Sequence, residues 1–171
     1  MHEMILFTQV KDEKLIKIVG SLADEIWNEH YIPIVGKNLV KYMLEKFQSK
    51  EAISAQIKEG SIYYLINHND SYVGYFSIIL KDKHLFLSKI YIKADSRRKG
   101  IGKKAFQFIE DIAVNNNLTE IILSVNKDNI NSIKTYSKTG FVITDSNVKN
   151  IGSGFVMDDY QMKKTLVSSN L

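Results

Sequence analysis

Cysteine is absent from the 171-residue chain. That removes a disulfide framework, a thiolate zinc site and a cysteine nucleophile at once, and no metal site is expected. No apolar run approaches the roughly 20 residues that a bilayer-spanning helix needs. The N-terminus shows no charged-then-apolar signal pattern, so the expected location is cytoplasmic, with no membrane partner. A Gly-x-x-x-x-Gly-Lys-Ser/Thr phosphate loop is missing as well. Charge of one sign is scarce: 23 basic side chains against 19 acidic ones leave +4. Yet Arg97, Arg98, Lys99, Lys103 and Lys104 put five cations into eight residues. A surplus concentrated in this way points to one local anion site and not to a nucleic-acid-binding face. The balance of 44% apolar and 25% charged residues is that of a globular protein. The length suits a single domain over residues 1–171.

Residues 4–9 read as a first strand. Leu15, Ile18, Val19, Leu22 and Ile26 recur at helical spacing behind Asp12 and Glu13 in the first turn, and Trp27–Pro33 is expected to close that helix. Leu39, Tyr42, Met43 and Phe47 mark a second helix, continued by residues 50–58 up to Gly60. Residues 61–67 and 72–81, rich in β-branched and aromatic side chains and parted by His68–Ser71, make a hairpin. Leu85–Ile92 is apolar at nearly every residue, the pattern of a strand covered on both faces. Behind Gly100 and Gly102, residues Ile101, Ala105, Phe108, Ile109, Ile112 and Ala113 share a helical face, and Ile121–Val125 is a fifth strand. Strand, helix and strand of this length make a right-handed crossover between parallel neighbours. Asn129–Lys138 is a short helix stopped by Gly140. Strands at about 141–148 and 155–165 follow, joined by an Asn/Gly/Ser-rich loop. The expected class is α/β (α+β): about seven strands, mostly antiparallel, with one parallel pair at the centre and helices on both faces.

The stretch from Ile90 to Lys104 organises the rest. It reads as the end of an apolar strand, a basic turn, and two glycines at the mouth of a helix. Backbone N–H groups at a helix N-terminus, made reachable by glycine and ringed by cations, bind anions. Gly100-x-Gly102-x-x-Ala105 also fits a loose dinucleotide fingerprint. A Rossmann turn, however, follows its strand at once and expects an acid at the end of the next strand. Here a tri-cationic loop intervenes, and the next strand ends in Val125-Asn126-Lys127. On spacing alone the glycines serve equally well as a helix start beside solvated cations.

Two blocks carry a resemblance. Arg97-Arg98-Lys99-Gly100-Ile101-Gly102 is similar to the Arg/Gln-x-x-Gly-x-Gly/Ala signature of the GNAT superfamily of acetyl-CoA-dependent N-acetyltransferases. Asn129 to Phe141 resembles its Asn-x-x-Ala-x-x-x-Tyr-x-x-x-Gly-Phe, with Ser132 in place of Ala. The resemblance implies acetyl-CoA as cofactor and a GNAT fold whose fourth and fifth strands splay apart to hold the pantetheine arm. By the same resemblance Arg97, Arg98, Lys99, Gly100, Ile101, Gly102 and Lys103 wrap the pyrophosphate. Backbone groups of Ile90, Tyr91 and Ile92 pair with the pantetheine amides, an addition to a strand edge. An N–H near Ile90 or Tyr91 faces the thioester carbonyl as oxyanion donor. Asn129 and Ser132 are expected beside the cofactor, although Asn129 suits a helix N-cap equally well. Tyr136 is implied as proton donor to the leaving thiolate, against a plain packing role at helical spacing from Ile133.

An amine must lose a proton before it attacks. Ser124 stands where some relatives carry Glu on the fifth strand, and Ser88 and Lys89 where others carry it on the fourth. Glu25, Glu29, His30, Asp158 and Asp159 remain as candidates, beside a water. The acceptor is expected near Trp27, Glu29, His30 and Tyr31 and near Asp158 and Asp159, since aromatics with carboxylates suit a cationic amine. The plainer reading makes those aromatics core and those acids surface. A looser similarity of the closing segment to bacterial amine and polyamine acetyltransferases favours a small amine or polyamine. A protein N-terminus or lysine is the alternative, and a non-catalytic acyl-CoA-binding module a further one. No nucleic-acid partner is expected; a homodimer is allowed.

Overall fold

The Asp12 carboxylate accepts the Leu15 N–H at 2.9 Å, satisfying one of the donors a helix leaves open at its start. In the computed structural model, which describes residues 3–167, this cap opens α1 (Glu13–His30). The helix runs one turn past Ile26 because Trp27 continues its buried stripe of Val19, Leu22, Ala23 and Ile26. Pro33 does not close α1 but sits in the first turn of α2 (Ile32–Val35), where its missing N–H costs nothing. The next two helices are separate: α3 (Lys37–Phe47) ends before Gln48, and Ser49 caps α4 (Lys50–Lys58) by accepting the Ala52 N–H at 3.2 Å.

Seven strands are found among the described residues: β1 (Ile5–Gln9), β2 (Ile62–His68), β3 (Ser71–Leu80), β4 (His84–Ile92), β5 (Glu120–Asn126), β6 (Val142–Gly152) and β7 (Phe155–Thr165). Their order is β1-β2-β3-β4-β5-β7-β6. The pairs β1–β2, β2–β3, β5–β7 and β6–β7 are antiparallel, and β4–β5 is parallel. Asn69 and Asp70, both left-handed at φ 50° and 69°, turn the β2–β3 hairpin, the geometry that matches strand twist. The parallel register pairs His84–Leu87 with Glu120–Leu123, which is the first half of β4. The crossover between them is α5 (Ile101–Asn115), and α6 (Ile130–Lys138) follows β5.

The contacts divide the chain into two compact units. The first holds β1–β3, α1–α4, the second half of β4 and the start of α5. Its strands alternate. Tyr91 meets Trp27 of α1 and Tyr75 on one face, whereas Phe7, Tyr64 and Phe76 meet Phe108 of α5 on the other. The second unit holds the rest of α5, the start of β4, and β5, α6, β6 and β7. Leu85, Leu87, Ile109, Ile121, Leu123, Phe141 and Met162 are among its buried side chains, and Lys164 of β7 pairs with Glu110 of α5.

Candidate active site

In the first unit β4 is tied off by the Lys93 N–H, which donates to the Val73 carbonyl at 2.8 Å. A 3-10 turn (Ala94–Ser96) follows, and then a loop in which Arg98 and Gly100 are both left-handed, φ 62° and 79°. Alternation of hand turns successive amides toward one concavity, the geometry that binds anions. The first hydrogen bond inside α5 runs from the Lys104 N–H to the Gly100 carbonyl at 3.2 Å. The amides of Ile101, Gly102 and Lys103 therefore stand at the open end of the helix. Among the described residues no hydrogen bond ends on them. Arg98, Lys99, Lys103 and Lys104 are exposed around this opening, while Ile101 is buried and pins the helix. Arg97 turns back instead: its Nε donates to the Ile92 carbonyl at 2.9 Å and its Nη1 approaches His30 Nδ1 at 3.5 Å.

Behind the turn lies an aromatic cluster. Trp27 and Tyr31 stack with centroids 4.3 Å apart, His30 meets Tyr31 edge-on at 4.7 Å, and Tyr91 of β4 lies 5.5 Å from Trp27 and 6.0 Å from Tyr31. Trp27 is itself core, with a buried indole N–H that has no acceptor. Glu29 is exposed, and Glu25 pairs with Lys93 at 3.2 Å. Lys89, inside the same strand, is buried. Its ammonium donates to the Phe47 carbonyl at 2.6 Å, to Gln56 Oε1 at 3.0 Å and to the Tyr63 hydroxyl at 2.5 Å. Burial lowers its pKa to about 7, while three acceptors favour the charged form.

In the second unit Asn129 is 3% exposed at the N-cap position of α6, yet its side chain makes no capping bond. Tyr136, half-buried one turn beyond Ser132, shares a hydrogen bond with it. Burial pushes the phenol up to about 12, against the pull of that bond. Ser124 is exposed, opposite Gln161. Asp158 holds Lys127 at 2.6 Å and raises its pKa. Asp159 is 7% exposed, and its Oδ1 has no hydrogen-bond partner. Burial, with Asp158 beside it, raises that carboxyl above the usual range. No cluster of His, Asp and Glu able to hold a metal occurs among the described residues, nor is any helix there long and apolar enough to cross a membrane.

Residues 23–141, more than half of the chain, match the acetyltransferase (GNAT) family. The chain belongs to that family. Over 151 residues this GNAT chain is 26% identical to the spermidine N(1)-acetyltransferase of Thermoplasma acidophilum, spanning 85% of itself and 89% of the relative. Its fold is similar to the PaiA N-acetyltransferase of the same organism in complex with coenzyme A. The TM-score is 0.77 at 20% identity, over 96% of this chain and 99% of the other. It is also similar to the ribosomal-protein-S18-alanine N-acetyltransferase of Escherichia coli, TM-score 0.72 at 14% identity over 98% and 99% of the two chains. The GNAT enzyme uses acetyl-CoA, and the open amides of α5 with four exposed cations fit its pyrophosphate. The sequence names Lys89 only as the residue at a base position of the fourth strand, and Gly74 not at all. A Cβ on Gly74 would lie 2.3 Å from the Tyr91 carbonyl oxygen, so only glycine lets β3 approach there. A lysine in step with Leu85 and Leu87 in an apolar strand was the available signal.

Proposed function

We propose that this GNAT enzyme acetylates a primary amine, with a small amine or polyamine as preferred acceptor, by direct attack in a ternary complex. The observation that carries the reading is the row of open amides on Ile101, Gly102 and Lys103 beside left-handed Arg98 and Gly100. Bound acetyl-CoA supplies the activated acyl carbonyl. Lys99, Gly100 and the three amides hold the pyrophosphate, and Arg98 and Lys103 add charge. Arg97 acts one step back, because its guanidinium fixes the last carbonyl of β4. The backbone of Ile90, Tyr91 and Ile92 offers the strand edge for the pantetheine amides, and Asn129 and Ser132 offer further polar contacts to the cofactor. One N–H of that edge polarises the acyl oxygen, a contribution of about 3 kcal/mol to the barrier.

Tyr136 donates its hydroxyl hydrogen bond to the departing sulfur. With the phenol pushed up to about 12 and a thiol near 8.5, full proton transfer runs uphill. The hydrogen bond is therefore the larger contribution. On the acceptor side Tyr31, stacked on Trp27, and His30, edge-on to Tyr31, face a cationic amine with ring surface. Glu29 and Asp159 supply negative charge, while Asp158 is engaged by Lys127. The spermidine acetyltransferase likeness over 85% of the chain supports a polyamine. The test is thiol release from acetyl-CoA with spermidine, amino acids, aminoglycosides and N-terminal peptides. Polyamine turnover well above the others is expected. Turnover confined to peptides would replace the polyamine with a protein N-terminus or lysine.

A further inference from the structure

Asp158 and Asp159 are adjacent on β7, so their side chains leave opposite faces of the sheet. Asp158 is exposed and spent: it holds the Lys127 ammonium at 2.6 Å, and its carbonyl takes the Lys127 N–H at 3.1 Å. Asp159 is 93% buried, the complement of its 7% exposure. It lies in register with Asn126, the last residue of β5, on one side and with Asn147 of β6 on the other. Two residues along, Gln161 stands opposite Ser124 of β5 and Asp145 of β6, and two residues back Met157 stands opposite Lys149. The charged groups whose fields reach Asp159 are Asp158 on its own strand, Lys127 after β5 and Lys149 on β6. None of these hydrogen-bonds Oδ1, which has no protein partner at all. A buried carboxylate oxygen left unpaired costs stability, and nothing in the fold is gained by it.

The position supplies a use. In open sheets ligands gather beyond the carboxyl ends of parallel strands, and Asn126 is that end of β5. We propose that Asp159 pairs with the acceptor's ammonium and takes its proton before the nitrogen attacks. The assignment rests on the amine-acetyltransferase reading and gives its proton acceptor a name. One N–H bond of the ammonium breaks, the proton goes to a carboxylate oxygen of Asp159, and the electron pair stays on nitrogen to bond the acyl carbon; the carbon–sulfur bond then breaks, and the second proton that nitrogen loses ends on the departing thiolate. Asp159 then returns that proton to water, the one proton that acetylation of an ammonium releases. An ordinary carboxyl near 4 lies about six units below an amine near 10. Burial raises Asp159 and lowers an ammonium taken out of water with it, which narrows the gap, while the attraction between the two charges works the other way.

Asp159→Asn tests this, with exposed Asp145→Asn on β6 as control. The expected loss in kcat with spermidine is roughly 100-fold or more, with acetyl-CoA Kd unchanged by calorimetry. The acid limb of the wild-type pH profile should disappear, and the residual rate should climb with pH as free amine forms. Because an unpaired buried charge is removed, Tm at pH 8 should hold or rise, whereas a purely structural Asp159 would give a lower Tm. Wild-type kcat with an unchanged pH profile in Asp159→Asn overturns the assignment. If no amine turns over in the wild type, the acetyltransferase reading of the acceptor fails on its own. Asp159 is then judged by carbon-13 NMR of its carboxyl: a raised midpoint that moves on spermidine addition supports the pairing, and an ordinary, unresponsive one overturns it.

Discussion

Tyr136 keeps its proton where an ordinary tyrosine, near 10, begins to lose it, because burial pushes its phenol up to about 12. Tyr136→Phe deletes the hydroxyl and leaves the ring 6.0 Å from Phe141. Turnover should fall about 100-fold while acetyl-CoA affinity by calorimetry stays within about twofold. An unchanged kcat would remove the proton-donor role. Lys89 makes a separate prediction about stability. Burial holds its folded pKa at about 7, below the 10.5 ordinary for a lysine. Between those values the unfolded chain holds a proton that the folded chain does not, so stability rises with pH across that window and is lost as pH falls through about 7. Lys89→Met should flatten that slope in urea unfolding at several pH values. Phe47's carbonyl keeps the Gln56 amide and Gln56 Oε1 keeps the Tyr63 hydroxyl. The change at pH 8 should therefore stay below about 2 kcal/mol. The Lys89 position was visible in the sequence as a cation in an apolar strand. Its three acceptors were not, because Phe47, Gln56 and Tyr63 come from elements that only the fold brings together. Likewise the Asp158-Asp159 pair reads as two equal acids until register sends one inward.

Among the elements, the β4–α5 turn was the most legible, since glycine, charge and helix start all lie within one short stretch. Gly102→Asp isolates its role. A Cβ there would meet only Ile92 Cδ1, at 3.6 Å, and an acid in the first turn of a helix is stabilising by about 0.5 kcal/mol. The variant should melt no lower than wild type yet lose acetyl-CoA binding by 100-fold or more, as bulk and negative charge enter the anion site. Normal binding would move the pyrophosphate elsewhere. Gly74→Ala is the structural counterpart. Its Cβ would press the Tyr91 carbonyl at 2.3 Å, so unfolding free energy should drop by about 3 kcal/mol, read by thermal and urea denaturation. Nothing in the sequence marks Gly74, because the close approach is to a strand some seventeen residues on. The α3–α4 break was also passed over, although Ser49 ahead of a helical run is a cap signal. Apolar periodicity continues through it, whereas the Gln48 N–H closes the first helix on the Leu44 carbonyl and the Ser49–Ala52 bond begins the second.

Over the whole molecule a net charge of +4 favours an anionic cofactor and opposes a polycationic acceptor, so the two ligands should answer salt differently. Four cations around the opening, Arg98, Lys99, Lys103 and Lys104, are exposed. Their attraction for a polyanion is therefore screened once the Debye length shrinks below about 10 Å. Asp159, by contrast, is buried, and buried pairs are screened much less. Raising the ionic strength from about 0.02 M to about 0.5 M should weaken acetyl-CoA binding roughly tenfold. The KM for spermidine should shift far less over the same range, since weaker long-range repulsion offsets what little of the local attraction is lost. Lys99→Gln together with Lys104→Gln should flatten the acetyl-CoA salt dependence and leave that of spermidine alone. Equal salt slopes for both ligands would mean that the acceptor is held by exposed charge, and the buried carboxylate would then have no part in binding it.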